Sequence, residues 1–200
     1  WNPGTTQEIF SLEELSEVFT LDRVSKAGAK FDPDKTRWFQ QQYLRSKSDE
    51  ELAQLLKLEI EQPMSDEQLK DICHMMKERA TFICDIVTEG AYLFSRPTSY
   101  DESTVQKKWK EDSTSLMNEW MNNMEGIEPF NSENIDVAFK DFLESKGISV
   151  GAVLPLFRLL LTGTGTGPSM FEISQYLGKE ESLQRMQTGI DAVNQLKINA

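Results

Sequence analysis

Three glycines at alternate positions, Gly163, Gly165 and Gly167, stand between an apolar run and a segment that reads as a helix. Glycine-rich turns at a helix start are places where backbone N–H groups bind phosphate. The spacing does not fit that use. A P-loop places Lys and then Ser or Thr after its last glycine, whereas Pro168 follows Gly167 directly. The dinucleotide fingerprint needs a preceding strand and two residues between its second and third glycines, where this chain has one. The triplet is expected to form a tight, exposed loop between helices. Five residues before it lies Arg158, the one charge in the run Val153 to Leu161. Such a guanidinium must snorkel to water, pair with a carboxylate such as Glu172 across the loop, or face a ligand, because an unpaired buried charge is costly. Arg79, within Lys77-Glu78-Arg79, gives a weaker signal, and an exposed ion pair accounts for it as readily.

No catalytic or metal site emerges. A single histidine, His74, and two cysteines, Cys73 and Cys84, exclude most zinc sites and His-based nucleophile activation. The cysteines lie in a stretch that reads as one continuous helix, which puts them roughly 16 Å apart and forbids a mutual disulfide. Both are read as buried, reduced core residues that suit a reducing compartment. Trp109 and Trp120 fall nearly on one face, which suggests core packing more than base stacking.

The elements that must carry these residues are helices. Ser11 with Glu14, Ser48 with Glu51 and Ser65 with Gln68 are capping boxes, each ahead of an apolar rhythm. The third opens a long helix through Leu69, Ile72, Cys73, Met76, Ala80 and Ile83. Asp101 to Met124 reads as another, with Val105, Trp109, Leu116, Trp120 and Met124 on one stripe. Asn131 to Ser145 places Ile135, Phe139, Phe142 and Leu143 on a third, stopped by Gly147. Leu183, Met186, Ile190 and Val193 mark the last helix. Ala27-Gly28-Ala29 and Asp32-Pro33 interrupt any long period in the first 45 residues, and no alternating strand appears after them. The expectation is an all-α chain: a small piece over 1–45, then helical subdomains over 46–100 and 101–200 that meet near Tyr100.

Charge narrows the partners. With 21 Lys and Arg against 33 Asp and Glu, the net charge of −12 excludes a protein that coats nucleic acid by bulk electrostatics. Any such contact must be local, and DNA is not expected. Apolar runs are far short of the roughly 20 residues a bilayer span needs, so no membrane crossing is expected. The opening Trp1-Asn2-Pro3-Gly4 has neither a signal peptide nor an initiating methionine and reads as the start of an excised piece.

Several longer blocks carry a family likeness. Phe10-Ser11-Leu12-Glu13-Glu14-Leu15, then Phe19 through Asp32, then Lys35 through Trp38 to Tyr43, closely resemble the region of bacterial glutamyl-tRNA synthetases just after the catalytic domain. Leu154 through Gly163, followed by Pro168, Phe171-Glu172-Ile173 and Leu177-Gly178-Lys179-Glu180, resembles the anticodon-binding part of the same family. Met75 through Arg79 and Tyr92-Leu93-Phe94 extend the likeness over essentially all 200 residues. It implies two adjoining helical-bundle subdomains of the class I anticodon-binding type, preceded by the end of a stem-contact region. It also implies that the catalytic machinery is elsewhere. Cys73-His74-Met75-Met76 is not a HIGH motif, and Ser25-Lys26 lies downstream of where the family's KMSKS-type loop falls.

By the same resemblance, Arg79 and Arg158 match positions that contact anticodon bases, and Thr162, Gly167, Pro168 and Met170 belong to the base pocket. The sequence departs from relatives at Gly167, where some carry a base-bonding threonine, and at Met170, where leucine is familiar. The implied partner is tRNA(Glu), bound by a monomer in the cytoplasm. No cofactor is implied for these residues, while the parent enzyme uses ATP and Mg. A second reading, favoured by the acidic balance, is a helical protein-interaction scaffold that kept the architecture without RNA binding. Residues 1–200 alone are expected to catalyse neither aminoacylation nor ATP–pyrophosphate exchange; isotope exchange above background in purified material would defeat that expectation.

Overall fold

The computed structural model describes residues 1–28 and 30–198; Ala29, from the Ala27-Gly28-Ala29 interruption, and residues 199 and 200 lie outside the described residues. All regular structure within them is helical, with no strand, and none of these helices is long and apolar enough to cross a membrane.

Each capping box forms. Ser11 opens α1 (Leu12–Val18), Ser48 opens α3 (Asp49–Leu56) and Ser65 opens α4 (Asp66–Met76), the serine hydroxyl accepting from the N3 amide while the N3 side chain accepts from the serine amide. Asp32 caps α2 (Pro33–Ser46), whose first residue is a proline that has no N–H to lose. The described residues among 1–43 include no fully buried side chain, and Leu12, Leu21 and Phe31 are more than 70% exposed.

Two long helices expected from periodicity are each broken. The stretch opened by Ser65 stops at Met76, turns through Lys77–Arg79, and restarts as α5 (Ile83–Glu89), followed by the short α6 (Ala91–Phe94). Asp85 is the cause: its carboxylate accepts from the amides of Thr81 at 2.9 Å and Phe82 at 2.8 Å, which starts a new helix. Cys73 and Cys84 therefore sit on different helices. Both are free thiols, but Cys84 is exposed, contrary to the expectation of two buried cysteines. Burial pushes the Cys73 thiol up to about 12.

Likewise Asp101 to Met124 forms α7 (Glu102–Lys108) and α8 (Ser113–Glu125) rather than one helix. The break is fixed from outside: the buried Trp109 donates its indole N–H to Asn194 at 3.2 Å, and its carbonyl accepts from Lys197 at 2.9 Å. The expected stripe is still interior, apart from a half-buried Leu116.

Three elements follow the sequence closely: α9 (Ser132–Lys146), ended by Gly147 in the left-handed region, α10 (Val150–Thr162) and α12 (Lys179–Ile198), with α11 (Met170–Leu177) between the last two. Trp120, Phe139 and Phe157 join α8, α9 and α10 through ring centroids 4.9 to 5.8 Å apart. The buried residues form one cluster from Leu44 to Val193, in which α11 packs on both α4 and α12.

One buried charge ties this core together. Arg185 of α12 is 4% exposed and donates to the carbonyls of Tyr92 in α6 (2.6 Å) and Leu161 in α10 (3.4 Å), and to Glu181 (2.7 Å). Glu181 also accepts from Arg96, whose hydrogen bonds hold its carboxyl below the usual carboxylate range. Arg185→Met is expected to lower the unfolding free energy by about 3 kcal/mol, because it strands two buried carbonyls and leaves Glu181 with Arg96 alone. Urea denaturation measures this, and a loss below about 1 kcal/mol would show that water serves those groups equally well. Since the folded pKa of Glu181 is depressed, its contribution is full above its unfolded value of about 4.3 and is lost as pH falls through the folded value. Melting in acid should therefore be less pH-dependent in Glu181→Gln.

Candidate nucleic-acid interface

At the end of α10 the chain turns on Gly163, whose φ of +74° is left-handed and whose carbonyl accepts from the Asp101 amide at 2.8 Å. A Cβ there would stand 2.4 Å from the Ser99 carbonyl, so only glycine fits. Beyond it, threonine hydroxyls satisfy the loop from within. Thr162 donates to the Arg158 carbonyl (2.8 Å) and accepts from the Thr164 amide (3.2 Å), while Thr164 donates to the Thr166 carbonyl (2.7 Å). These bonds tie the first half of the loop to the end of α10.

Arg158 reaches across this loop. Its side chain is half-buried, and Nη1 donates to the Pro168 carbonyl at 2.7 Å. It makes no ion pair among the described residues; Glu172, the carboxylate considered as its partner, instead sits in the first turn of α11. Burial lowers the Arg158 pKa, and the nearby positive charge of Arg79 adds to that, with Tyr92 acting oppositely. Arg79 itself is exposed at the turn after α4, with no side-chain hydrogen bond or ion pair among the described residues. Both arginines lie near the phenol of Tyr92, which is 5% exposed and pushed up by burial, with its hydroxyl 3.6 Å from the Met76 sulfur.

Gly167 completes this arrangement. A Cβ on it would lie 2.8 Å from Arg158 Nη1 and 3.2 Å from the Tyr92 hydroxyl, so the guanidinium occupies space that a side chain would claim. The structure thus gathers Arg79, Arg158, Gly167 and Pro168 around Tyr92. Thr162 and Met170 lie beneath that surface: the first is 3% exposed and bonded within the loop, the second 1% exposed at the start of α11. Tyr92, Arg96 and Thr162 also line a cleft of about 260 Å³ beside Gly163. Sequence reasoning missed Tyr92 as a member of the site, since an aromatic in a helical stretch is indistinguishable from core. Elsewhere, His74 pairs with Asp49 at 3.0 Å, and among the described residues no group of three His, Cys, Asp or Glu could hold a metal ion.

Comparison with known proteins gives the geometry a context. The family model described as "Anticodon binding domain" matches residues 42–190. The glutamate–tRNA ligase of Phocaeicola vulgatus is 42% identical over 198 residues, covering 96% of this chain and 39% of that protein. That of Cytophaga hutchinsonii is 36% identical over 204 residues, covering the whole chain and again 39% of the relative. Among solved structures, a glutamate tRNA ligase from Elizabethkingia meningosepticum CCUG26117 in complex with its amino acid superposes with a TM-score of 0.90 at 35% identity, over 96% of this chain and 39% of that one. The chain therefore spans about two fifths of the length of these relatives.

Gly167→Ala is expected to evict the Arg158 guanidinium from the Pro168 carbonyl, at a cost of about 1 kcal/mol in stability. The Arg158 Nε–H resonance of the folded protein reports the change. An unmoved resonance would mean that the Arg158 side chain accommodates the methyl without leaving its carbonyl.

Proposed function

Since this chain belongs to the anticodon-binding domain family, we propose that it reads the anticodon loop of a tRNA, namely tRNA(Glu), as the RNA-recognition part of a glutamate–tRNA ligase. The observation that carries this reading is a half-buried arginine without a carboxylate partner, held beside a second unpaired arginine in a chain of net charge −12. Specific RNA recognition acts on splayed, single-stranded bases, which stack on guanidinium planes and are read along their edges by donors in fixed positions. Arg158 has one nitrogen fixed on Pro168 and others free to form a planar fork toward a base. Arg79 supplies a second guanidinium, the backbone around Gly167 and Pro168 forms the wall, and Thr162 and Met170 support that wall from below.

In this reading residues 46–100 and 101–200 are the two halves of the reading module, and 1–45 lead in from the region that seats the tRNA stem. The parent enzyme attaches glutamate to tRNA with ATP and Mg, acts as a monomer and works in the cytoplasm. The glycine loop has Pro168 where a nucleotide-binding loop carries Lys and then Ser or Thr, so no step of activation is assigned to these residues.

Replacing Arg158 with Ala in the full-length protein tests the assignment. It should reduce kcat/KM for the cognate tRNA by about 1–3 kcal/mol of transition-state binding, the scale of a bidentate arginine contact to a base. Arg158→Lys should rescue little, since an ammonium lacks the fork. A lowered melting temperature with unchanged discrimination among anticodon variants would make Arg158 a structural residue and the assignment wrong.

A further inference from the structure

Ten of the 21 Lys and Arg form an ion pair among the described residues, and Lys35, Lys57, Lys77, Lys140 and Lys179 each hold a carboxylate within 2.7 Å. Lys107, Lys108 and Lys110 do not. All three are exposed, none makes an ion pair among the described residues, and together they rim an open groove of about 400 Å³ floored by Leu116, Ile148, Val153 and Leu156. Asp112 also lines that groove, yet pairs with none of them. Completing the dipole at the end of α7 gives Lys107 and Lys108 a local role worth a few tenths of a kcal/mol. It does not explain Lys110, which lies beyond the helix.

Their place relative to the base-reading surface is specific. α7 runs antiparallel to α10: its first turn meets the glycine loop, through the Asp101 amide on the Gly163 carbonyl at 2.8 Å and through Thr104, whose hydroxyl lies 2.3 Å from where a Cβ on Gly165 would be. Its far end lies against Ala152 to Leu156. Lys107 and Lys108 are three and four residues beyond Thr104 and so share its face of the helix. Lys107 and Lys108 lie one helical turn beyond Thr104, about 5 Å along α7, and the groove they rim is on the side of α10 formed by Ala152, Val153 and Leu156.

We propose that the Lys107, Lys108 and Lys110 corner holds the phosphate backbone of the RNA strand whose bases are read at Arg79, Arg158 and the glycine loop. This rests on the reading of that surface as an RNA site. It gives a chain of net charge −12 a local hold on a polyanion, through three neighbouring cations that form no ion pair among the described residues. Phosphate contacts of this kind position the strand without reading sequence.

The test uses the full-length protein and tRNA(Glu) transcripts with intact and altered anticodons, titrated from about 50 to 300 mM salt. The variant Lys107→Gln, Lys108→Gln, Lys110→Gln should bind roughly tenfold or more weakly, equally for both transcripts, and the slope of log affinity against log salt should fall by about 2. The corresponding triple arginine variant should retain affinity and slope. Because all three side chains are exposed, both variants should melt as the parent does. An unchanged slope in the glutamine variant, with Arg158→Ala still erasing discrimination, overturns this inference and leaves the base-reading site standing. A flattened slope with Arg158→Ala silent upholds the lysine track and refutes the role of Arg158 instead. If poly-glutamate competes at this corner while RNA binding is unaffected by the glutamine variant, the groove belongs to an acidic protein and the proposal fails.

Discussion

A guanidinium removed from water must find every hydrogen bond it gives up, and in this fold that requirement falls on Arg185. Its donors reach Tyr92 in α6 and Leu161 in α10 from a position on α12, so three helices that are remote in sequence are held at fixed separation by one planar group. Glu181 neutralises it and extends the network to Arg96. The Tyr92 hydroxyl and Arg158 both border Gly167, and Leu161 lies two residues before the turn at Gly163. Tyr92 and the end of α10 therefore take their positions from the same buried cation.

The site is built by exhausting alternatives. Threonine hydroxyls close the loop's polar groups on one another, and the Pro168 carbonyl fixes one nitrogen of Arg158. Under the proposed function, the remaining guanidinium donors of Arg158 sit in a partly desolvated setting, where a bond to a base edge would count for more than in bulk water. A strongly negative protein can recognise RNA on these terms, because selectivity needs few donors in fixed places rather than a basic surface.

Much of this was legible in the sequence, and the failures have physical causes. Capping serines and Gly147 act through their nearest neighbours, so their effect can be read locally. The break after Met76 could not be seen in the apolar rhythm, which runs on through Ala80 and Ile83; the signal was Asp85, whose carboxylate bonds back to Thr81 and Phe82. The break after Lys108 is set by Asn194 and Lys197, some 85 residues away, and no local pattern could carry it. Arg158 stood out because it is the single charge in an apolar run. Its partner did not, since a backbone carbonyl has no residue type to announce it. Arg185 drew no notice in the sequence, because what makes it central is the packing of α6 and α10 over it, which no local pattern carries.

The split of the two cysteines between α4 and α5 has a practical side. Cys84 meets solvent, while Cys73 is sealed in apolar surroundings that suppress its thiolate. A maleimide dye added to the folded protein attaches at α5 alone, and a second equivalent is taken up only as α4 opens. The chain thus carries a fluorescent handle and an internal stopwatch for local opening, with no residue introduced to obtain either.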